Sequence, residues 1–416
     1  MSASRPHVVI LGAGHAGGTA AALLRQYGFE GPITLVGEEP IPPYQRPPLS
    51  KAWLKGEVDA DSLSLKPREF YAEYKIDFRS STRATYLNRG TKVVALADRS
   101  AVSYDILVLA TGARAIVLPI PGANLAGVTV LRTAADADAL KAVVGPGKTL
   151  AVVGGGYIGL EVAASGRALG VEVVVIEREP RLLARVACEE LSSFFEGYHR
   201  AQGVRFEMGA TAAAFLGEKG KVTGVTLDDG RTIPCDAVVV GVGAHPNDDI
   251  AKEAGLDCAR GVVVNLESRT SDPSIFAIGD VAHRPMPIYG RMFRMESVPN
   301  ALEQAKQAAC AITGRAPPAG EVPWQWSDQY DLKLQIAGYP FDVDEVLVRG
   351  DPATAKFAVF HLKGNLIQAV EAINSPPEFM LGKQLIGRRT PVDKVRLADP
   401  SVGIRDVGLA PARETA

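Results

Sequence analysis

Short apolar runs alternate with glycine turns and amphipathic stretches along most of this chain. Residues 7–11 (HVVIL) are polar only at their leading edge, the pattern of a strand covered on both faces. A glycine turn at 12–17 and an Ala- and Leu-rich helical stretch at 18–27 follow, then "ITLVGEE" at 33–39 as the next strand. The rhythm restarts at 148 with "TLAVVGGG", a helix through about residue 169, and "VEVVVIERE" at 171–179. "YDILVLATGARA" (104–115) predicts a strand ending at Ala110-Thr111-Gly112, and "TIPCDAVVVGVGAHPN" (232–247) repeats that ending with Gly241 and Gly243. "TSDPSIFAIGDVA" (270–282) reads as a strand ending at Gly279-Asp280, and 297–313 as a helix. The Pro-rich stretch 40–54 lacks backbone donors and disfavours helix before Pro48, so it predicts an ordered loop presenting Leu49, Ser50 and Lys51. Beyond about 320 the runs alternate between turn signals, which predicts an antiparallel α+β domain with a helical end.

The fold class that follows is α/β, with two Rossmann-like dinucleotide-binding domains and a C-terminal α+β domain. Each glycine turn has G-x-G-x-x-G spacing inside a strand–helix–strand unit, a context that carries far more weight than the glycines alone. Gly12, Gly14, Ala16 and Gly17 make the first loop, and Gly154, Gly155, Gly156 and Gly159 the second. Glycine is needed where backbone must approach a pyrophosphate closely, and amides at a helix start carry the partial charge that binds it. Tyr157, Ile158 and Gly243 are assigned to the second dinucleotide with that loop. An acid about 20 residues further on binds the adenosine ribose. Glu38 and Glu177 are the candidates, and a carboxylate at 177 favours NADH over its 2′-phosphorylated relative.

Two dinucleotide loops on one chain suggest a relay. A flavin accepts a hydride as a pair of electrons and releases electrons singly, whereas a second nicotinamide gains nothing. FAD in the first unit and NADH in the second is the economical assignment.

Composition narrows the class. The 416 residues are too many for one ordinary core, and 47% hydrophobic with 22% charged residues suits a globular protein. A net charge of −2 offers no global case for nucleic acid or acidic lipid. No stretch reaches about 18 uninterrupted apolar residues, and no signal peptide is read at the start, so a cytoplasmic protein is expected. Cys188, Cys235, Cys258 and Cys310 form neither a redox pair nor a zinc-like pattern, and reduced, mostly buried thiols with no metal are expected.

The motifs "GAGHAGG", "VGEEPIPPYQRPPLSK", "LVLATGAR", "LRTAADA", "VVGGGYIGLEVAA", "SDPSIFAIGDVA", "ESVPNALEQA" and "PWQWSDQYDL" occur in this order. The sequence resembles, over essentially its whole length, NADH-dependent ferredoxin reductases of the putidaredoxin-reductase type, and is similar to the reductases of aromatic-ring dioxygenases. The resemblance implies an FAD domain at 1–114 and 247–320, an inserted NAD domain at 115–246 and a C-terminal interface domain at 321–416. It assigns FAD contacts to Gly12, Ala16, Glu38, Lys51, Ala84, Arg132, Asp280 and Val298, beside the glycine-turn residues Gly14, Gly17, Thr111 and Gly112. It places Lys51 near the reactive part of the flavin and Glu161 in the first turn of the NADH-loop helix, and the two are expected to pair.

The loop after the second strand holds no cysteine, which argues against the family's thiol-based outlets. The resemblance implies transient electrostatic docking of an acidic 2Fe-2S ferredoxin that serves a haem-thiolate monooxygenase or a ring-hydroxylating dioxygenase. Arg284, Arg291, Arg294 and Lys306 are candidates for a basic docking patch, with Trp326 near the flavin edge. A monomer or weak dimer is expected. A rubredoxin reductase is the nearest alternative. An NADH-responsive interaction module is an alternative of another class, and a flavin monooxygenase is disfavoured by the "ESVPNALEQA" and "WSDQY" motifs.

Overall fold

The computed structural model describes residues 5–409. These form two compact units, each assembled from three stretches of chain. The first takes the residues up to Gln45, Ala60–Arg114 and His245–Gln325, and the second takes Arg46–Asp59, Ala115–Ala244 and the residues from Trp326 on.

In the first unit a five-stranded parallel sheet runs in the order Ile275–Ala277, Ile106–Leu109, Val8–Leu11, Ile33–Val36, Ile76–Arg79. Val8, Val9, Ile10 and Leu11 are all essentially inaccessible, as a central parallel strand between two helical layers must be. The helix His15–Gln26 packs through Ala20, Ala21 and Leu24 with Ala301, Ala305 and Ala308 of the helix Val298–Thr313. Small residues on both surfaces let the two backbones approach.

The second unit repeats the design in the order Arg205–Met208, Glu172–Glu177, Thr149–Val153, Ala237–Val240, Val128–Val130, again all parallel. The C-terminal region adds an antiparallel sheet in the order Trp324–Gln329, Leu332–Gly338, Leu366–Ile373, Lys356–Lys363, Glu345–Asp351. On it lies the helix Pro376–Arg388, whose Gly382 leaves room for Val370 and Phe360. The expected class, two Rossmann-like domains and a C-terminal α+β domain, is the observed one.

Several expected elements are shorter. The strand and glycine turn read over 232–247 hold three short strands, Thr232–Pro234, Ala237–Val240 and Ala244–Pro246, and the strand read as ending at Gly279-Asp280 is Ile275–Ala277. The Pro-rich stretch forms a 3-10 turn at Pro47–Ser50 and a one-turn helix at Ala52–Lys55. Its last part joins the second unit, where Arg46 donates to the Arg132 carbonyl (2.6 Å) and Trp53 Nε1 to Asp138 (2.9 Å). None of the four cysteines is in a disulfide; Cys235 and Cys310 are buried, and Cys188 and Cys258 are half-buried. Among the described residues no helix is long and apolar enough to cross a membrane.

Candidate functional site

Each glycine turn is a cradle that side chains would block. Gly12 and Gly154 both sit at φ +110°, and a Cβ on them would lie 2.1 Å from the Ala110 carbonyl and 2.5 Å from the Gly241 carbonyl. A Cβ on Gly17 would meet the Gly12 carbonyl at 1.9 Å, and one on Gly159 the Gly154 carbonyl at 2.0 Å. The middle glycines, Gly14 and Gly156, face open space, where a Cβ would meet nothing within 4 Å. Both are the N-cap residues of 12-residue helices, and as glycines they carry no side chain to cap the first-turn amides. An open front with uncapped amides at a helix start fits a pyrophosphate. The residues present therefore fit two dinucleotides.

The two acids are not equivalent. Gly12 N donates to the Val36 carbonyl and Gly154 N to the Ile176 carbonyl, each at 2.8 Å, so Glu177 aligns with Gly37 and not with Glu38. Glu177 accepts from Gly155 N (2.6 Å) and Glu179 N (2.8 Å), which aims its carboxylate along the loop. In the first unit a Cβ on Gly37 would lie 2.7 Å from the Ala13 methyl. Ala13 thus fills the space that Gly155 leaves for Glu177. The acid moves one residue on, to Glu38, whose side chain is 75% exposed and 4.0 Å from Arg83.

Of the other residues assigned to FAD, Ala16 is buried in the first helix. Ala84 opens the strand Ala84–Asn88 and packs half-buried on the sheet core. Thr111 donates to the Asn247 carbonyl (2.7 Å), and Gly112 turns the chain at φ +66°. Asp280 lies in the turn Gly279–Val281, and Val298 is the first residue of its helix, capped by Ser297. Lys51 and Arg132 belong to the second unit. Among the residues assigned to NADH, Tyr157 and Ile158 head the helix Tyr157–Ala168, with Ile158 exposed. Gly243 has φ +117°, and a Cβ there would lie 3.8 Å from Arg185, a cation that no sequence motif marked.

Lys51 and Glu161 pair as expected, Nζ to Oε2 at 2.6 Å, with side chains 16% and 6% exposed. Lys51 also donates to the Pro47 carbonyl (3.2 Å). Ser50 Oγ donates to Glu161 Oε2 (2.5 Å) and Ser327 Oγ to Oε1 (2.7 Å), so both oxygens are held. Behind Ser327 the donors line up. Gln329 Nε2 donates to Ser327 Oγ (3.1 Å), His199 Nε2 to Gln329 Oε1 (2.7 Å), and Tyr330 OH to His199 Nδ1 (3.3 Å). This direction requires a neutral imidazole. Burial supplies one, pushing His199 down to about 4 against a smaller opposing effect of the Gln329 bond. Ser327, Gln329 and His199 were missed from the sequence, and Ser50 was read only as part of the loop that presents Lys51. Only "WSDQY" hinted at two of them, because each acts through a partner far away in the chain.

The basic patch needs correcting. Arg284 is buried and closed on Glu303 by two bonds (2.8 and 3.2 Å), with a third to Asn300 (3.1 Å), so it offers no charge to a partner. Arg294 is tied to Glu296 (2.5 Å) and to the Asp280 carbonyl (3.1 Å). Arg291 and Lys306 are exposed, and Trp326 is half-buried.

Known proteins match along the whole chain. Residues 6–305 match the model of the pyridine nucleotide-disulphide oxidoreductases, and residues 324–408 that of the reductase C-terminal domain. A probable ferredoxin reductase, CtmF, of Castellaniella defragrans is 54% identical over 95% of this chain and 97% of its own length. Rhodocoxin reductase of Rhodococcus erythropolis is 41% identical over 98% and 94%. The solved covalent complex of putidaredoxin reductase with putidaredoxin superposes with a TM-score of 0.95 at 40% identity, covering 97% of this chain and 98% of that one. With two glycine cradles in one chain and these matches, the chain belongs to the pyridine nucleotide-disulphide oxidoreductase family.

Proposed function

We propose that this chain is an NADH-dependent ferredoxin reductase, holding FAD in the first unit and NADH in the second. The observation that carries the reading is the pair of uncapped, open-fronted glycine cradles, with no cysteine in the loop after the second strand. Bound FAD supplies the chemistry, taking a hydride and giving up electrons one at a time. The chain supplies position and charge. Gly12, Gly14 and Gly17 seat one pyrophosphate, and Gly154, Gly156 and Gly159 the other. Glu177 takes the adenosine ribose hydroxyls of NADH and repels a 2′-phosphate. Lys51 and Arg132 serve as flavin contacts. Lys51 carries a positive charge whose direction Glu161, Ser50 and Ser327 set.

The acceptor in this reading is a small acidic 2Fe-2S ferredoxin that feeds an oxygenase, and the relatives named as ferredoxin reductases support it. Arg291 and Lys306 are what remains of the docking patch. The reading includes the domain limits 1–114 with 247–320, 115–246 and 321–416; breaks between the compact units at Arg114 and at Ala244 support it. It also places the protein in the cytoplasm, in keeping with four thiols outside disulfides.

The test is steady-state reduction of a panel of ferredoxins and rubredoxins by the FAD-loaded protein, with NADH and NADPH side by side. Fast NADH-driven reduction of a ferredoxin is expected. Turnover confined to rubredoxins, oxygenation of an organic substrate without a partner protein, or no turnover with any acceptor would overturn it. A Lys51→Met variant with unchanged FAD content and unchanged flavin reduction rate would remove Lys51 from the mechanism.

A further inference from the structure

Away from the Lys51–Glu161 network, the second unit brings three metal-ligating side chains together. Cys188 is the N-cap residue of the helix Glu189–Ala201, His361 lies on the strand Lys356–Lys363 and Glu371 on the strand Leu366–Ile373. Opposite Glu371 stands Val359, so His361 is its diagonal neighbour on one face of the sheet. Cys188 Sγ is 3.5 Å and His361 Nε2 2.9 Å from Glu371 Oε2, and the three donor atoms all lie within 4.8 Å of one another. His361 and Glu371 are buried, whereas Cys188 is half-buried.

A second observation points to the same spot. Tyr157, the first residue of the second cradle's helix, has a hydroxyl shielded from solvent with no hydrogen-bond partner. Burial, and after it the charge of Glu371 and the nearby Tyr339 and Cys188, hold its phenol well above the ordinary value. An orphaned hydroxyl in such a place calls for a partner.

We propose that Cys188, His361 and Glu371 form a binding site for a divalent cation of the zinc class. Sulfur, imidazole and carboxylate together suit that ion better than a hard, oxygen-seeking one. Tetrahedral bonds of ~2.0–2.3 Å set ligand atoms roughly 3.3–3.8 Å apart, so the site needs side-chain shifts of under about 1 Å to close. The charges also balance. A thiolate and a carboxylate neutralise a 2+ ion, which makes its burial affordable. Binding breaks the Cys188 S–H bond and forms S–metal, and that proton leaves to solvent. His361, whose Nε2–H faces Glu371 Oε2 in the metal-free site, gives up that proton to solvent and takes one on Nδ1, so the imidazole stays neutral as Nε2 turns to the metal. A water in the fourth position gives Tyr157 OH its missing partner. The three ligands stand at 188, 361 and 371, so no local spacing announces the site.

Cobalt(II) is the probe. The FAD-loaded protein, freed of metal by a chelator, is titrated with Co2+ and then with Zn2+. One equivalent of Co2+ is expected to give tetrahedral d–d absorption to the red of the flavin bands, which Zn2+ abolishes. Cys188→Ser and His361→Gln, checked for unchanged FAD content, are expected to weaken binding at least tenfold, and Cys258→Ser to leave it intact. In the wild-type chain, Zn2+ is expected to slow alkylation of Cys188 and not of Cys258. That readout needs no variant to fold. Absence of the d–d bands, bands that persist in both ligand variants, or equal alkylation of Cys188 with and without Zn2+ would overturn the site.

Discussion

Glu161 is a buried carboxylate with every oxygen spoken for: Lys51 and Ser50 on one, Ser327 on the other. Removing one donor from such a group costs ~1–3 kcal/mol. Ser327→Ala is therefore expected to free Glu161 Oε1 and slow flavin reduction by NADH about tenfold, equivalent to ~1.4 kcal/mol, with FAD content unchanged. Ser327→Thr keeps the hydroxyl and should restore the rate; stopped-flow reduction of both variants checks this. His199, three bonds further back, makes the network pH-sensitive. Its folded value of about 4 lies below the 6.5 of an ordinary imidazole. Between those values the unfolded chain binds a proton that the folded one refuses. Stability is thus full above about pH 6.5 and falls as the pH drops toward 4, by up to about 3 kcal/mol. The urea midpoint of wild type should fall across that window, and that of His199→Asn should fall less. Neither role could be read from the sequence, where a serine and a histidine 128 residues apart carry no sign of a shared partner.

At the level of elements, the same glycine pattern does two separable jobs. Gly154 sits at φ +110° against the Gly241 carbonyl, so Gly154→Ala should destabilise the second unit by about 1–3 kcal/mol from backbone strain alone. Gly156 has an ordinary φ of −82° and open space before it. Gly156→Ala should fold normally and weaken NADH binding tenfold or more, about 1.4 kcal/mol. Melting curves and NADH titrations of the two variants distinguish the jobs. Both strand–helix–strand units were readable because glycine spacing and apolar runs are local signals. Glu38 and Glu177 were both read from their distance to the glycine turn, and in the folded strands Glu38 stands one position beyond the place of Glu177. The size of the side chain at Ala13 against Gly155 decides the offset, and that is a matter of packing. Arg284 failed for a similar reason, since only the helix Val298–Thr313 brings Glu303 to it.

On the scale of the whole molecule, composition and motif order were enough to give the class, but not the way residues 46–59 join the second unit. That excursion depends on Arg46, Lys51 and Trp53 finding partners beyond residue 130. A chain cut after Ala244 lacks the strand Ile275–Ala277 and the helix Val298–Thr313 of the first unit. It should therefore bind no FAD, which absorbance of the purified fragment would show. The strand Ile106–Leu109 waits in the growing polypeptide for Ile275–Ala277 to cover its outer edge. At ~5–20 residues per second, the ribosome takes roughly ten to thirty seconds to deliver that cover. For that interval a bare, apolar sheet edge hangs from the nascent chain, and its protection falls to whatever chaperone meets it first.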